Sequence, residues 1–383
     1  MKTFTAYTYE IDDVEAAVSE ILSQLDLEAL CKNSVGIINC YSEFLDSGVV
    51  EALNEALPFN TIGTTTLAGS TSGELSFTML SLMVLTGDDV SFSTALSDEI
   101  LEEQEKPLMQ MCRQALAGIE DEAKLAMVYI PVIPHIGGDV TIEAMEQVLG
   151  GIPIFGTCAS DHTDDYHSAQ VIYNGKAYKG EVATLLIGGN IEPRFSVMSI
   201  PEKKVLRQKA IVTESLANQI ISVNNMSFLE YLHTIGLVEE DTSLEGVMAI
   251  PVMIDYNNGT EPIAMGMFLG ENGTAACGCK VPVGASLSIG TLLAEDIVAA
   301  AQTVVQQILE QENCEAAIMY PCLSRILILG IEPEAEMEKI SSGLSDKVPY
   351  TLAYSTGEIC PVKDKDGKFV NRMHNFSLIS CIF

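Results

Sequence analysis

The chain has 383 residues, nearly half of them hydrophobic, enough for two or three domains with sizeable cores. It carries 53 acidic against 20 basic residues, a net charge of -33. A field of that sign repels phosphate backbones and anionic lipid surfaces, so neither nucleic acid nor the membrane is an expected partner.

The N-terminal stretch MKTFTAYTYEIDDVE turns acidic early and lacks the apolar centre of a signal peptide. No apolar run of about 18 residues follows, so no membrane span is expected. The ten cysteines are Cys31, Cys40, Cys112, Cys158, Cys277, Cys279, Cys314, Cys322, Cys360 and Cys381. None forms a C-x-x-C pair, and only Cys277 and Cys279 stand close, as CGC. They read as reduced thiols of a cytoplasmic protein, with no zinc site and no cofactor expected.

Along the chain, one pattern recurs. VGIINCYSEF, VVEALNEALP and FNTIGTTTLAG read as strand, helix and second strand. The helix-like stretch EEQEKPLMQMCRQALAGI follows. A second unit then runs LAMVYIPVIPHIGG, VTIEAMEQVLG, GIPIFGTCASD. Near residues 220 to 225 a strand gives way to a helix that Asn225 or Ser227 could cap. Residues 261–291 alternate apolar stretches with Gly and Asn turns, as a short antiparallel set would. The long helix pattern AEDIVAAAQTVVQQILEQ leads into a third unit, EAAIMYPCLSRILILG, EAEMEKISSGLSD, KVPYTLAYSTGE. Further strands are expected at 77–87, 181–190 and 375–383. The expected fold class is α/β, two lobes of repeated β-loop-α-β units with mixed sheets.

Two turns stand out. GSTSGE closes the first unit and YSTGEICPV the third, each a run of small hydroxyl residues ending in Gly-Glu. In open α/β sheets, ligands sit outside the carboxyl ends of strands, so the turns are expected to face a shared cleft.

The terminal block AAIMYPCLSRILILG, YTLAYSTGEICPV, RMHNFSLISCIF resembles the C-terminal half of FIST sensory proteins, through Arg325, Gly357-Glu358-Ile359 and His374-Asn375. TIGTTTLAGSTSGE and IFGTCASDHTDDYHSAQVIYNGKAYKGEVATLLIGG resemble the N-terminal half. The resemblance implies an N-terminal FIST-like domain over 1–223 and a C-terminal one over 224–383. It implies a free-standing, non-enzymatic input protein of signal transduction. Its ligand would be a small molecule such as an amino acid or small carboxylate, and its output partner another protein. One departure is the insertion of Leu67-Ala68-Gly69 before the first Gly-Glu, which would displace Glu74.

Arg325 has two readings. Its planar fork suits a ligand carboxylate, or it pairs with an acidic residue such as Glu358 and clamps the domain. Glu358 could accept an ammonium group, with Ser355 and Thr356 supplying hydrogen bonds; Gly63, Thr64 and Glu74 would be the counterparts in the first turn. Alternatively, hydroxyls and Glu simply build the turns. His374 and Asn375 either donate to a ligand or brace Glu358. The loop CASDHTDDYH, with Cys158, Asp161, His162, Asp164, Asp165 and His167, and His135 upstream, mixes soft and hard ligands. It supports the competing reading, a thiol- or metal-assisted hydrolase, although its spacing matches no metal motif. A purely structural interaction protein is the third reading.

Overall fold

The structure, a computed structural model, describes residues 1–133, 136–163, 165–238 and 246–383; for 246–249 and 271 it describes the backbone alone. The three expected units are present. Each joins two parallel strands through helix: Asn33–Cys40 with Thr61–Thr65, Ala123–Ile130 with Ile154–Cys158, and Ala317–Pro321 with Tyr350–Ala353. The intervening helices are Val49–Ala56 in the first unit, Gly138–Leu149 in the second, and the pair Leu323–Leu329 and Ala335–Leu344 in the third. The expected further strands, Leu80–Gly87, Ala183–Gly189 and Leu378–Ile382, each pair antiparallel with the first strand of their unit. Parallel and antiparallel pairs therefore share each sheet, and the expected mixed α/β class holds.

The chain exchanges its hairpins between units. The hairpin after the first unit, Gly69–Thr71 and Glu74–Ser76, joins the third unit's sheet, with Thr71 opposite Thr351. The hairpin after the second, Val171–Tyr173 and Lys176–Tyr178, joins the first unit's sheet, with Ile172 opposite Gly63. The hairpin after the third, Glu358–Lys363 and Phe369–His374, joins the second unit's sheet, with Glu358 opposite Thr157. The result is three six-stranded sheets related by one cyclic rule.

Burial explains why these strands read as unbroken apolar runs. The inner faces of all three sheets meet in one core, where Ile37 and Met83, Met127 and Phe155, and Ile318 and Tyr320 pack together. The outer faces carry helices, with Val49, Val50 and Leu53 covering the first sheet and Val304 and Ile340 the third. Sheets buried on both faces lose the alternation of a half-exposed strand. The close approach is visible at Gly63, where an added Cβ would lie 1.7 Å from the Ile38 carbonyl oxygen. Gly63→Ala is expected to lower stability by about 1–3 kcal/mol or more, as overpacked cores do. Urea denaturation midpoints check this; an unchanged midpoint would assign Gly63 no packing role.

A seven-stranded elaboration lies between Arg194–Met198 and the helix Ala294–Leu309. Its strands run Ala210–Leu216, Gln219–Val223, Met226–Ser227, Gly246–Asp255, Ile263–Leu269, Ala275–Ala276 and Ser286–Ile289. Ala210–Leu216 pairs with both Ser286–Ile289 and Gln219–Val223, so the ladder closes into a small barrel. The antiparallel set expected over 261–291 is part of it. Val212, Ile220, Val252, Met265 and Leu287 fill its interior, continuous with the core over the second unit. The 223/224 position falls at the turn Asn224–Asn225, both left-handed. Ser227 caps the following helix Phe228–Thr234, its hydroxyl accepting from the Glu230 N–H while Glu230 accepts from the Ser227 N–H.

Candidate functional site

Arg325 sits on the helix Leu323–Leu329, directly after the strand Ala317–Pro321, and is fully buried. Its Nε lies 3.0 and 3.1 Å from the two carboxylate oxygens of Glu336, its Nη2 2.6 Å from Oε1. Nη1 donates to the Phe376 carbonyl at 3.1 Å, and the Tyr354 hydroxyl donates to Glu336 at 2.9 Å. The pairing reading therefore describes this residue, with Glu336 and not Glu358 as the partner. Glu336 lies on the next helix, beyond the break at Gly330.

The hydroxyl runs converge where the three units exchange hairpins. Equivalent backbone bonds close each crossing: Thr65 N–H to the Gln170 carbonyl, Cys158 N–H to Gly357, and Tyr354 N–H to Ala68. Thr66 Oγ1 and Ser160 Oγ both donate to the Tyr354 carbonyl, at 2.9 and 2.7 Å. Thr64 Oγ1 bonds the Gln170 carbonyl, Ser355 Oγ the Gly357 carbonyl, and Thr356 Oγ1 the Ala159 carbonyl. Where the strands part company, short hydroxyl side chains add hydrogen bonds to the backbone carbonyls of the crossings. The runs face the protein's own backbone.

The two Gly-Glu pairs occupy different places in their hairpins. Gly73, at φ 86° after Ser72 at φ 51°, makes the tip of the first hairpin, and Glu74 is exposed, accepting from the Tyr9 hydroxyl at 2.9 Å. Gly357 stands at the root of the third hairpin, and Glu358 is fully buried opposite His374. The expected shared cleft between the turns is thus replaced by one exposed and one interior carboxyl. Glu358 Oε2 accepts from Ser377 Oγ at 2.9 Å, while Oε1 has no hydrogen-bond partner among the described residues. Burial pushes this carboxyl well above the usual range. His374 is also buried; its Nε2 lies 3.1 Å from the Cys360 carbonyl, and burial lowers its imidazole to about 4. Asn375 bridges outward, donating to the Thr356 carbonyl at 3.1 Å and accepting from the Gly266 N–H of the barrel.

In the loop after the second unit, Cys158 is buried, its thiol pushed up to about 12 by burial and by Glu358. Asp161 accepts from Thr163 and from the Ser168 N–H. His162 is exposed against the Tyr41 ring, and His167 pairs with Asp165 at 2.7 Å. Among the described residues no group of three or more His, Cys, Asp or Glu could hold a metal ion. His135 and Asp164 lie outside the described residues.

A cavity of about 550 Å³ opens elsewhere, between the start of the helix Gly138–Leu149, the strand Phe369–His374 and the barrel. The helix can begin there because Gly138 has no side chain; a Cβ would lie 2.2 Å from the Met373 sulfur. Its N–H donates instead to the Gly278 carbonyl of the barrel. Asp139, one residue on, accepts from the Lys280 N–H through Oδ2 at 2.6 Å, whereas buried Oδ1 has no hydrogen-bond partner among the described residues. Burial raises the Asp139 carboxyl. On another wall, the Arg372 guanidinium lies over the Tyr256 ring, 5.1 Å from its centroid, and its buried Nε likewise lacks a partner. Lys280 pairs with Glu143 at the rim, and Ile142, Ile263, Val281 and Met373 line the rest. Neither Asp139 nor Arg372 was among the expected site residues. The available signals were the Gly pair of IGGD and the Arg of RMHN.

The fold belongs to a class of sensory domains. Residues 34–226 match the FIST N domain and residues 227–361 the FIST C domain. The chain therefore belongs to the FIST family, whose domains are sensory modules of signal transduction associated with small ligands. No curated protein matches. Among solved structures, a cyanuric acid hydrolase from A. caulinodans aligns over 100% of this chain and 98% of its own, at 10% identity and a TM-score of 0.37, too distant a likeness to bear on activity. No helix among the described residues is long and apolar enough to cross a membrane.

Proposed function

We propose that this chain is a cytoplasmic ligand sensor that binds an amino acid or a similar small zwitterion in the cavity between the second unit and the barrel. The observation that carries this is one cavity lined by both Asp139 and Arg372, each with a buried polar atom that lacks a partner among the described residues, the acceptor Asp139 Oδ1 and the donor Arg372 Nε. A buried polar atom without a partner costs about 1–3 kcal/mol. A ligand carboxylate on Arg372 and an ammonium on Asp139 would remove both costs, and Coulomb attraction would add to them. The apolar lining suits an aliphatic side chain. Because the cavity spans the helix of one unit and the barrel, a bound ligand favours one arrangement of the two, and an output protein reads that arrangement.

A thermal-shift screen against amino acids and small carboxylates tests the proposal. A ligand at 100 times its dissociation constant adds about 2.7 kcal/mol to stability, a raised melting temperature. Arg372→Ala and Asp139→Ala are each expected to abolish the shift while keeping the fold. A shift that survives both, or one abolished by Arg325→Met in a folded protein, would place the ligand elsewhere.

A further inference from the structure

We propose that Cys277 and Cys279 form a dithiol that exchanges with a small disulfide entering the cavity and closes to an intramolecular disulfide. Their sulfurs already lie 3.8 Å apart, with a side-chain-free Gly278 between them. A disulfide bond is about 2.05 Å long, so closure needs an approach of about 2 Å. Cys279 lines the cavity. Cys277 lies behind it, its thiol 3.1 Å from the Cys279 carbonyl.

The step is thiol–disulfide exchange. Cys279 Sγ loses its proton, attacks one sulfur of RSSR and releases RS⁻, which takes up a proton. Cys277 Sγ then loses its proton, attacks Cys279 Sγ and displaces the second RS⁻. The pair is oxidised by two electrons and RSSR becomes two RSH. The consequence falls on the cavity wall. Tyr256 Oη lies 3.1 Å from Cys279 Sγ and 3.1 Å from the Lys280 carbonyl, to which it donates. Oxidation draws Cys279 Sγ towards Cys277 and so alters this contact, and Tyr256 carries the Arg372 guanidinium on its face. This effect on ligand affinity rests on the function proposed above; the thiol chemistry does not.

The titratable and charged groups that line the cavity with Cys279 are Tyr256 and Lys280 from the barrel, Asp139, Glu143 and Glu146 from the helix, and Arg372 from the strand. The hydrogen bond shared with Cys277, then burial, hold the Cys279 thiol well above its ordinary range. Exchange is therefore slow at neutral pH and quickens as the pH rises.

The test equilibrates the full chain, without ligand, in mixtures of glutathione and glutathione disulfide from neutral to mildly alkaline pH, then alkylates, digests and weighs the peptides. The expected result is a peptide holding both cysteines that is lighter by two hydrogens, resists alkylation and reverts with dithiothreitol. Cys277→Ser should stall as a glutathione adduct on Cys279, whereas Cys279→Ser should leave Cys277 unmodified. Full alkylation of both cysteines across the redox range, pairing with any other cysteine, or the reverse adduct pattern would overturn the proposal. Because no ligand is present, its failure leaves the ligand screen unaffected.

Discussion

Arg325→Ala is expected to destabilise the protein by about 3–5 kcal/mol, because it strips the partner from a buried carboxylate. Glu336 would keep only the Tyr354 hydroxyl in a fully buried setting. The cost comes from the stranded charge, so removing both charges should undo most of it. Arg325→Met with Glu336→Met is expected to lie within about 1–2 kcal/mol of the parent, since apolar replacements of a buried pair are often neutral. Urea denaturation of the two singles and the double measures this. A single-variant cost below about 1 kcal/mol would mean that the pair does not clamp the helices, and Arg325 would return as a ligand-binding candidate.

The second large effect is one of pH. His374 has a folded value of about 4 against an ordinary 6.5, so its stabilisation is complete above pH 6.5 and is lost as pH falls towards 4. The difference corresponds to roughly 3 kcal/mol. Glu358, directly opposite in the hairpin register, has the other sign. Its carboxyl is raised by burial, so its contribution is complete below the ordinary 4.5 and is lost as pH rises. Between these limits the two slopes oppose each other, and the parent profile is flattened. Glu358→Gln should expose the His374 slope, stability climbing with pH from 4 to 6.5. His374→Asn should expose the opposite slope, stability falling as pH rises above 4.5. Urea midpoints across that range decide it; parallel profiles for parent and both variants would show that neither group titrates in the interior.

The units, their helices and the strands that follow were legible because each is a local matter. Period 3.6 places Val50 and Leu53 on one helix face, and doubly buried strands such as Asn33–Cys40 write themselves as continuous apolar runs. Ser227 was legible as a cap for the same reason, its partner lying three residues on. Family membership was legible through the order of short motifs along the whole chain. What those motifs do was decided by tertiary structure. The hydroxyl-rich turns look alike in sequence, yet Gly73 makes a hairpin tip and Gly357 a hairpin root, because each hairpin leaves its own unit for a different sheet. Arg325 could have met any of 53 acidic residues; helix packing across Gly330 selected Glu336. Asp139 and Arg372 are separated by more than half the chain, and the exchange of the third hairpin into the second unit's sheet brings both to one cavity, which the barrel completes. Local sequence determines which segments are strand, helix and turn; which polar atoms are left without partners depends on contacts between segments far apart in the chain.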